Sequence, residues 1–319
     1  MTARAGRTAR ALARVMVAPW RLTARAVMRW RGGHIYGWRQ PRWWPARLGG
    51  WPGPRSPHDG KSVVIFAAPH RYEFAPAVLG FHRGHVHHGT MRPDAADIAT
   101  RLTRMALPTG AARALEIISS FEGGFDAIQT YDRAKFSWGF IQFAATGGLP
   151  RLLHDLKTQA PDVFAECFGA AGIDSRDGRL TIRQRGRIVS GRRVHDWLHD
   201  DPSLWTPFLR ASSRSQVQDV QVMNAYQYYY AHPLKAVVSM AGRDVTLAAL
   251  FADSECARAV VCDRAVNRGV GHATVLFRTA VRRCDARDAG DVATILASVR
   301  DMEAQDAARI DALVHQIGG

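Results

Sequence analysis

Glu122 closes an apolar helical run directly before Gly123-Gly124, and Asp132 follows ten residues later. Flanked by Phe121 and Phe125, Glu122 is placed where partial desolvation raises a carboxyl's pKa and lets it hold a proton near neutral pH, the property of a general acid. Asp132 lies among Gln129, Thr130 and Arg133, polar neighbours that favour the ionised form. Two carboxyls in opposed environments are the minimum equipment for cleaving a glycosidic bond, one protonating the leaving oxygen and the other activating water. Asp126, between them in the chain, is the rival for the second position.

These residues need a helix end and a nearby turn-rich segment to hold them. Ala114, Leu115, Ile117, Ile118 and Phe121 recur at helical spacing within 111–121, and the glycine pair terminates the run. Residues 125–143 read as a hairpin region, 149–157 and 162–168 as helices, and 179–191 as a second small hairpin in which Leu180 and Ile182 alternate with Arg183 and Arg185. Helical patterns follow at 203–211, 215–230, 244–252, 254–268, 271–283 and 290–316. The expected fold class is mainly α with a small β-hairpin element, an α+β arrangement. Tyr226, Tyr228, Tyr229 and Tyr230 cover most of one helix circumference, so at least one belongs to the core. Asp263 and Asn267 share a helix face at i, i+4, either as a hydrogen-bonded pair or as cleft residues.

In order and spacing these segments resemble the lysozyme-like superfamily. Lytic transglycosylases and goose-type lysozymes follow the catalytic Glu, about eighteen residues on, with a hairpin reading roughly Gly-Leu-Met-Gln-Ile; here Glu122 is followed by Gly139-Phe140-Ile141-Gln142-Phe143. Phage-type lysozymes place an Asp about nine residues after the Glu, then a Thr, an apolar residue and Gly; Glu122, Asp132 and Ser137-Trp138-Gly139 are similar, with Ser for Thr and an offset of ten. Where transglycosylases usually carry Ser after the Glu, this chain has Gly123. The run from Asp263 to Gly269 resembles the Asn-x-Gly helix of phage lysozymes and the corresponding helix of chitosanases. The likeness is specific over 118–149 and architectural over 106–319. It implies a two-lobed lysozyme-like domain with Glu122 as acid and Asp132, at roughly 6.5–9.5 Å, as the base of an inverting reaction. It further implies that Ser137 holds the attacking water, that Gly139 lets a sugar approach the hairpin backbone, and that Gln142 bonds an N-acetyl or hydroxyl group. Tyr131 and Trp138 offer flat faces for sugar rings, Trp138 equally a core side chain, with Asp126 and Asn267 as further substrate contacts. No cofactor or metal is called for.

The net charge of +15 is concentrated at one end: residues 1–58 carry twelve Arg, six of the nine Trp and no acid. Residues 106–319 are nearly balanced, with twenty-five Lys and Arg against twenty-four acids, so charge does not point the folded body toward nucleic acid. The basic tail reads either as an amphipathic segment, helical over Ala11–Trp30, that contacts an anionic membrane or as a disordered leader. No apolar run reaches membrane-spanning length and no signal peptide is legible; a cell-envelope or extracellular location is the expectation. Residues 59–105 read as a histidine-containing adaptor. His85 and His87 could hold a metal on a strand edge, although no neighbouring carboxylate or thiol completes a set. The four cysteines form no CxxC pair and read as free thiols, mostly buried.

Together these readings predict a glycoside hydrolase acting on the β-1,4 bonds of peptidoglycan or a related amino-sugar polymer. A lytic transglycosylase using Glu122 alone, a chitosanase, and a catalytically silent peptidoglycan-binding protein are the alternatives. Chitosan suits the chain less, because a polycation favours an acidic cleft and this chain is neutral to basic. A third class makes the basic tail itself the functional part.

Overall fold

The computed structural model describes residues 28–30, 33–36, 61–67, 69–184, 186–240, 242–284 and 291–318. The helix expected over Ala11–Trp30 lies outside them except for its last three residues, Met28–Trp30, which form a strand instead. The remainder of the basic tail also lies outside the described residues, apart from a second short strand.

The chain is mixed, 57% helix and 19% strand, so a mainly helical fold with a β element is what forms, but the strands extend well beyond one hairpin. Eight strands lie side by side in chain order: β1 (Met28–Trp30), β2 (Gly33–Tyr36), β3 (Val63–Ala67), β4 (His70–Leu79), β5 (His82–His87), β6 (Ile128–Gln129), β7 (Ser137–Trp138) and β8 (Phe143–Ala144). β2 runs parallel to β3, and the other pairings are antiparallel. Between β5 and β6 the chain leaves the sheet for helices α1 (Ala95–Arg104) and α2 (Ala112–Glu122). Val86 then pairs with Gln129 and His87 with Ile128. The 59–105 segment, expected as an adaptor, is therefore built into the same sheet as the hairpin region that follows Glu122.

After β8 come α3 (Gly148–Gln159), α4 (Pro161–Cys167) and the small sheet β9 (Ile173–Arg176), β10 (Arg179–Gln184) and β11 (Arg187–Ser190). Helices α5 (Arg192–Asp200), α6 (Thr206–Ala211) and α7 (Ser215–Asn224) follow, and α7 continues as a π-helical stretch over Ala225–Ala231. This stretch carries the tyrosines. Tyr230 is buried and stacks on Tyr226, the Tyr229 ring meets Phe143, and the Arg151 guanidinium lies 3.8 Å over the Tyr228 ring.

Two expectations for the last third fail in instructive ways. The helix expected over 244–252 begins instead as the second strand of a hairpin, β12 (Val237–Met240) paired with β13 (Arg243–Thr246); Gly242, at φ +76°, makes the turn, and β-branched Val245 and Thr246 suit the strand. After it run α8 (Glu255–Arg268) and α9 (Val270–Arg283). α8 buries Ala257, Val260, Val261, Cys262 and Ala265 on several faces, the pattern of a central helix. It also buries two charges, Asp263 and Arg264. The continuous helix expected over 290–316 is two, α10 (Val292–Met302) and α11 (Ala307–Gly318), broken at Glu303. The side chains of Glu303 and Asp306 are drawn into ion pairs at the break.

Candidate active site

Glu122 is the last residue of α2, whose Leu115, Ile117 and Ile118 are in the core. The helix stops because Gly123 takes φ +143°, and a Cβ there would collide with the Ala127 side chain and the His88 carbonyl. Only glycine fits. The Glu122 side chain is 14% exposed, and Nη2 of Arg309, on α11, donates to its Oε1 at 2.6 Å. Burial pushes the carboxyl above its ordinary range, outweighing the pull of Arg309. A position at the helix C-terminus, the negative end of the dipole, works in the same direction. Oε1 is held, and Oε2 is the oxygen left to carry a proton.

Arg309 is itself oriented from behind. Its Nε donates to Asp263 Oδ1 at 2.9 Å, and its guanidinium lies 4.8 Å over the Phe121 ring. Asp263 is fully buried, accepts from Arg264 through Oδ2, and receives the Asn267 amide at 3.2 Å on Oδ1. Arg264, also fully buried, donates onward to Glu303 at 3.2 Å and Asp306 at 2.6 Å. Arg268 adds a second donor to Asp306, and His272 meets Glu303 at 2.9 Å. A buried charge is tolerated only when paired and hydrogen-bonded, and every charge in this relay has such partners. Its effect is to fix Arg309, and with it the Glu122 carboxyl.

Asp132 is held by its own neighbours. Oδ1 accepts from the Ala134 N–H at 2.9 Å, Oδ2 from the Gln129 amide at 3.0 Å, and the Asp132 carbonyl from the Lys135 N–H at 3.1 Å. This is an Asx turn in the loop between β6 and β7. Burial raises the Asp132 carboxyl, although these donors and His82 pull it down. The Tyr131 phenol is pushed up by burial first, then by the charges of Asp132 and Glu122. Ser137 sits opposite Gln129 in the β6–β7 ladder, so both side chains leave the same face of the sheet, and Gln129 is the residue bonded to Asp132.

The other face of this ladder is core, which corrects Trp138 as a sugar platform. Trp138 pairs with Ile128, is 0% exposed, packs against Phe168 and Phe208, and donates Nε1 to Ser212 Oγ at 3.0 Å. Asp126 is likewise removed from the catalytic candidates. Fully buried, it accepts from the Thr90 and Met91 N–H groups, each at 2.9 Å, and from the Thr90 hydroxyl, and it pairs with His87. Burial pushes this carboxyl up, but the hydrogen bond from His87 and the other donors more than offset it, holding Asp126 below its ordinary range. Its function is to tie the 88–91 loop to the start of the hairpin region.

Gly139, at φ +92°, is required by Gln221, whose amide would meet a Cβ there, rather than by an approaching sugar. Gln221 accepts from the Phe140 N–H and donates to the Phe125 carbonyl at 3.2 Å. Gln142, at φ +54°, donates to the Gly139 carbonyl at 3.1 Å, and its buried Oε1 has no partner among the described residues. Asn267 is corrected from cleft residue to helix-face partner of Asp263. His85 and His87 are engaged elsewhere, His85 with the Lys61 carbonyl and His87 with the Glu73 carbonyl and Asp126. Among the described residues no three potential ligands gather as a metal site.

Arg309, Arg264 and Gln221 are not legible in the sequence as site residues. Arg309 is 187 positions from Glu122, and an Arg on an amphipathic helix carries no mark of a buried partner. The one available signal is Asp263-Arg264, adjacent charges inside an apolar helix. In comparisons with known proteins, no family model, curated protein or solved structure matches this chain.

Proposed function

We propose that this chain is a lysozyme-like glycosidase with a two-lobed domain, hydrolysing β-1,4 bonds of peptidoglycan with inversion. The observation that carries the reading is the buried, Arg309-held Glu122 at a helix end, followed in the chain by Asp132 on a hydrogen-bonded turn. Glu122 gives the proton on Oε2 to the glycosidic oxygen as the bond to the anomeric carbon breaks. Asp132 takes a proton from the water that attacks the opposite face. The leaving sugar departs as a neutral alcohol, and the two carboxyls regain their starting states by proton exchange with solvent. Tyr131, next to Asp132 in the chain, offers a flat surface for a sugar ring, and Gln142 Oε1, without a partner among the described residues, is an acceptor suited to an N-acetyl N–H.

The test is incubation of the whole chain with purified sacculi and, in parallel, with chitosan, followed by mass and anomeric analysis of the fragments. Truncation to residues 106–319 would remove β3 to β5 and the residues that hold Asp126, so the whole chain is the right protein for the experiment. Reducing, inverted N-acetylmuramic ends are expected. Anhydro ends would assign a transglycosylase working through Glu122 alone, and release from chitosan only would reassign the polymer. No release from either would leave a glycan-binding protein.

A further inference from the structure

We propose that the β4–β5 hairpin is a membrane contact: Val78, Leu79 and Phe81 enter the interfacial layer of an anionic bilayer, and Arg83 meets its headgroups. The base of this hairpin is ordinary sheet, with Tyr72 and Phe74 buried on one face. From Ala75 onward that alternation stops, and at Val78 and Leu79 the described residues cover neither face. The tip is nonetheless apolar: Phe81 is 102% exposed, Val78 65% and Leu79 56%. Leu79 pairs with His82 and Val78 with Arg83 around the Gly80-Phe81 turn, where Gly80 has φ +59°.

Large exposed apolar side chains grouped on one projection mark a binding surface. Which partner they fit follows from two observations. A sugar ring stacks on one face of a strand, whereas these side chains are bare on both faces and all round the turn, as suits a medium that surrounds the tip. Arg83, exposed beside Val78 in the ladder, is the one Lys, Arg, Asp or Glu in the sequence between Glu73 and Arg92, and its charge complements a negative lipid surface.

The hairpin is mounted firmly enough to act as a wedge. His199 Nε2 lies 2.9 Å from the Arg83 carbonyl, and Gly84 is packed so closely on Thr130 that a Cβ would fall 2.5 Å from its carbonyl oxygen. Little ordering is left for binding to impose. Val86 pairs with Gln129 and the Thr130 N–H donates to the His85 carbonyl, so the base of the hairpin is fastened to the end of β6.

The experiment is co-sedimentation of the full chain with vesicles of mixed phosphatidylglycerol and phosphatidylcholine, at low salt and at roughly 0.5 M salt, where attraction from the arginine-rich tail is screened. The Leu79→Ser/Phe81→Ser double variant alters only exposed side chains, so its thermal midpoint should match the parent. We expect the parent to stay vesicle-bound at high salt and the double variant to lose about tenfold or more in affinity there. Arg83→Ser should lose severalfold at low salt only. A parent that releases fully at high salt, or a double variant that binds as tightly, overturns the proposal. So does a double variant with parental vesicle affinity but weakened binding to lipid-free sacculi, which would make the tip a wall of a glycan groove.

Discussion

Glu122 and Asp132 are ten residues apart in the chain and are held by opposite means. Asp132 is pinned by Gln129 and Ala134, partners within three positions, inside a turn that local sequence can encode. Glu122 depends on Arg309, and Arg309 on Asp263, across helices that meet only in the folded state. Under the proposed hydrolysis the difference suits the two roles. A general acid must keep its proton in a fixed direction while charge develops nearby, and a buried relay restrains it without a local loop that could relax. A base that hands protons between water and solvent can sit on a turn.

The contrast breaks most visibly in rate. Glu122→Gln keeps an oxygen for Arg309 and removes the transferable proton, so a loss of about 10²–10⁴ in kcat is expected. Stability should not follow it down. A carboxyl whose folded pKa is raised contributes stability that is present below its ordinary pKa and is lost as pH rises through the raised value, so at neutral pH Glu122 is a cost. The thermal midpoint of Glu122→Gln at pH 7 should be equal to or above the parent's. A fall of several degrees would mean that Glu122 is structural. Asp132→Asn should lose rate on a similar scale, and because both carboxyls are raised, both limbs of the kcat/KM profile should lie above the ordinary carboxylate range.

Next in size is the relay itself. Arg264→Met leaves Asp263 buried with one cation fewer and Glu303 short of a partner; removing one member of a buried pair typically costs about 3–5 kcal/mol. Urea unfolding measures this directly. The same variant frees Arg309 to swing, so residual activity at a temperature where the protein is folded should fall as well. Full activity in folded Arg264→Met would show that Glu122 needs no support from α8 and would dissolve the contrast between the two carboxyls.

This asymmetry also explains how much of the molecule is legible in one dimension. The helix end at Glu122, the turn around Asp132 and most helices from Gly148 onward rest on local periodicity and glycine placement, which a linear sequence retains. Trp138 is ambiguous there because successive side chains of a strand leave opposite faces and nothing local says which face is covered; in the fold both Ser137 and Trp138 are buried. The ion pair that holds Glu303 at the helix break has no local mark, because its partner Arg264 is 39 positions away. Asp126 passes for a second catalytic carboxyl for the same reason, since its donors come from Thr90 and Met91.

Asp126 supplies the smallest effect and a control for both carboxyls. Its folded pKa is lowered, so it contributes stability above its ordinary value near 3.9 that is lost as pH falls through the folded value. Asp126→Asn cannot accept all the donors that converge on it and places an amide N–H₂ against them, at a cost of about 2 kcal/mol at pH 7. The deficit should shrink as pH drops below about 4, because the parent then loses the advantage that the variant never had. Thermal midpoints of the two proteins across pH 3 to 7 test this: converging curves are expected, whereas parallel ones would mean that the loss comes from packing alone. Where both are folded, turnover should change by no more than a few fold, because Asp126 touches neither Glu122 nor Asp132. A loss on the scale of Asp132→Asn would return Asp126 to the site and replace a distant relay and a local turn with a three-carboxyl arrangement.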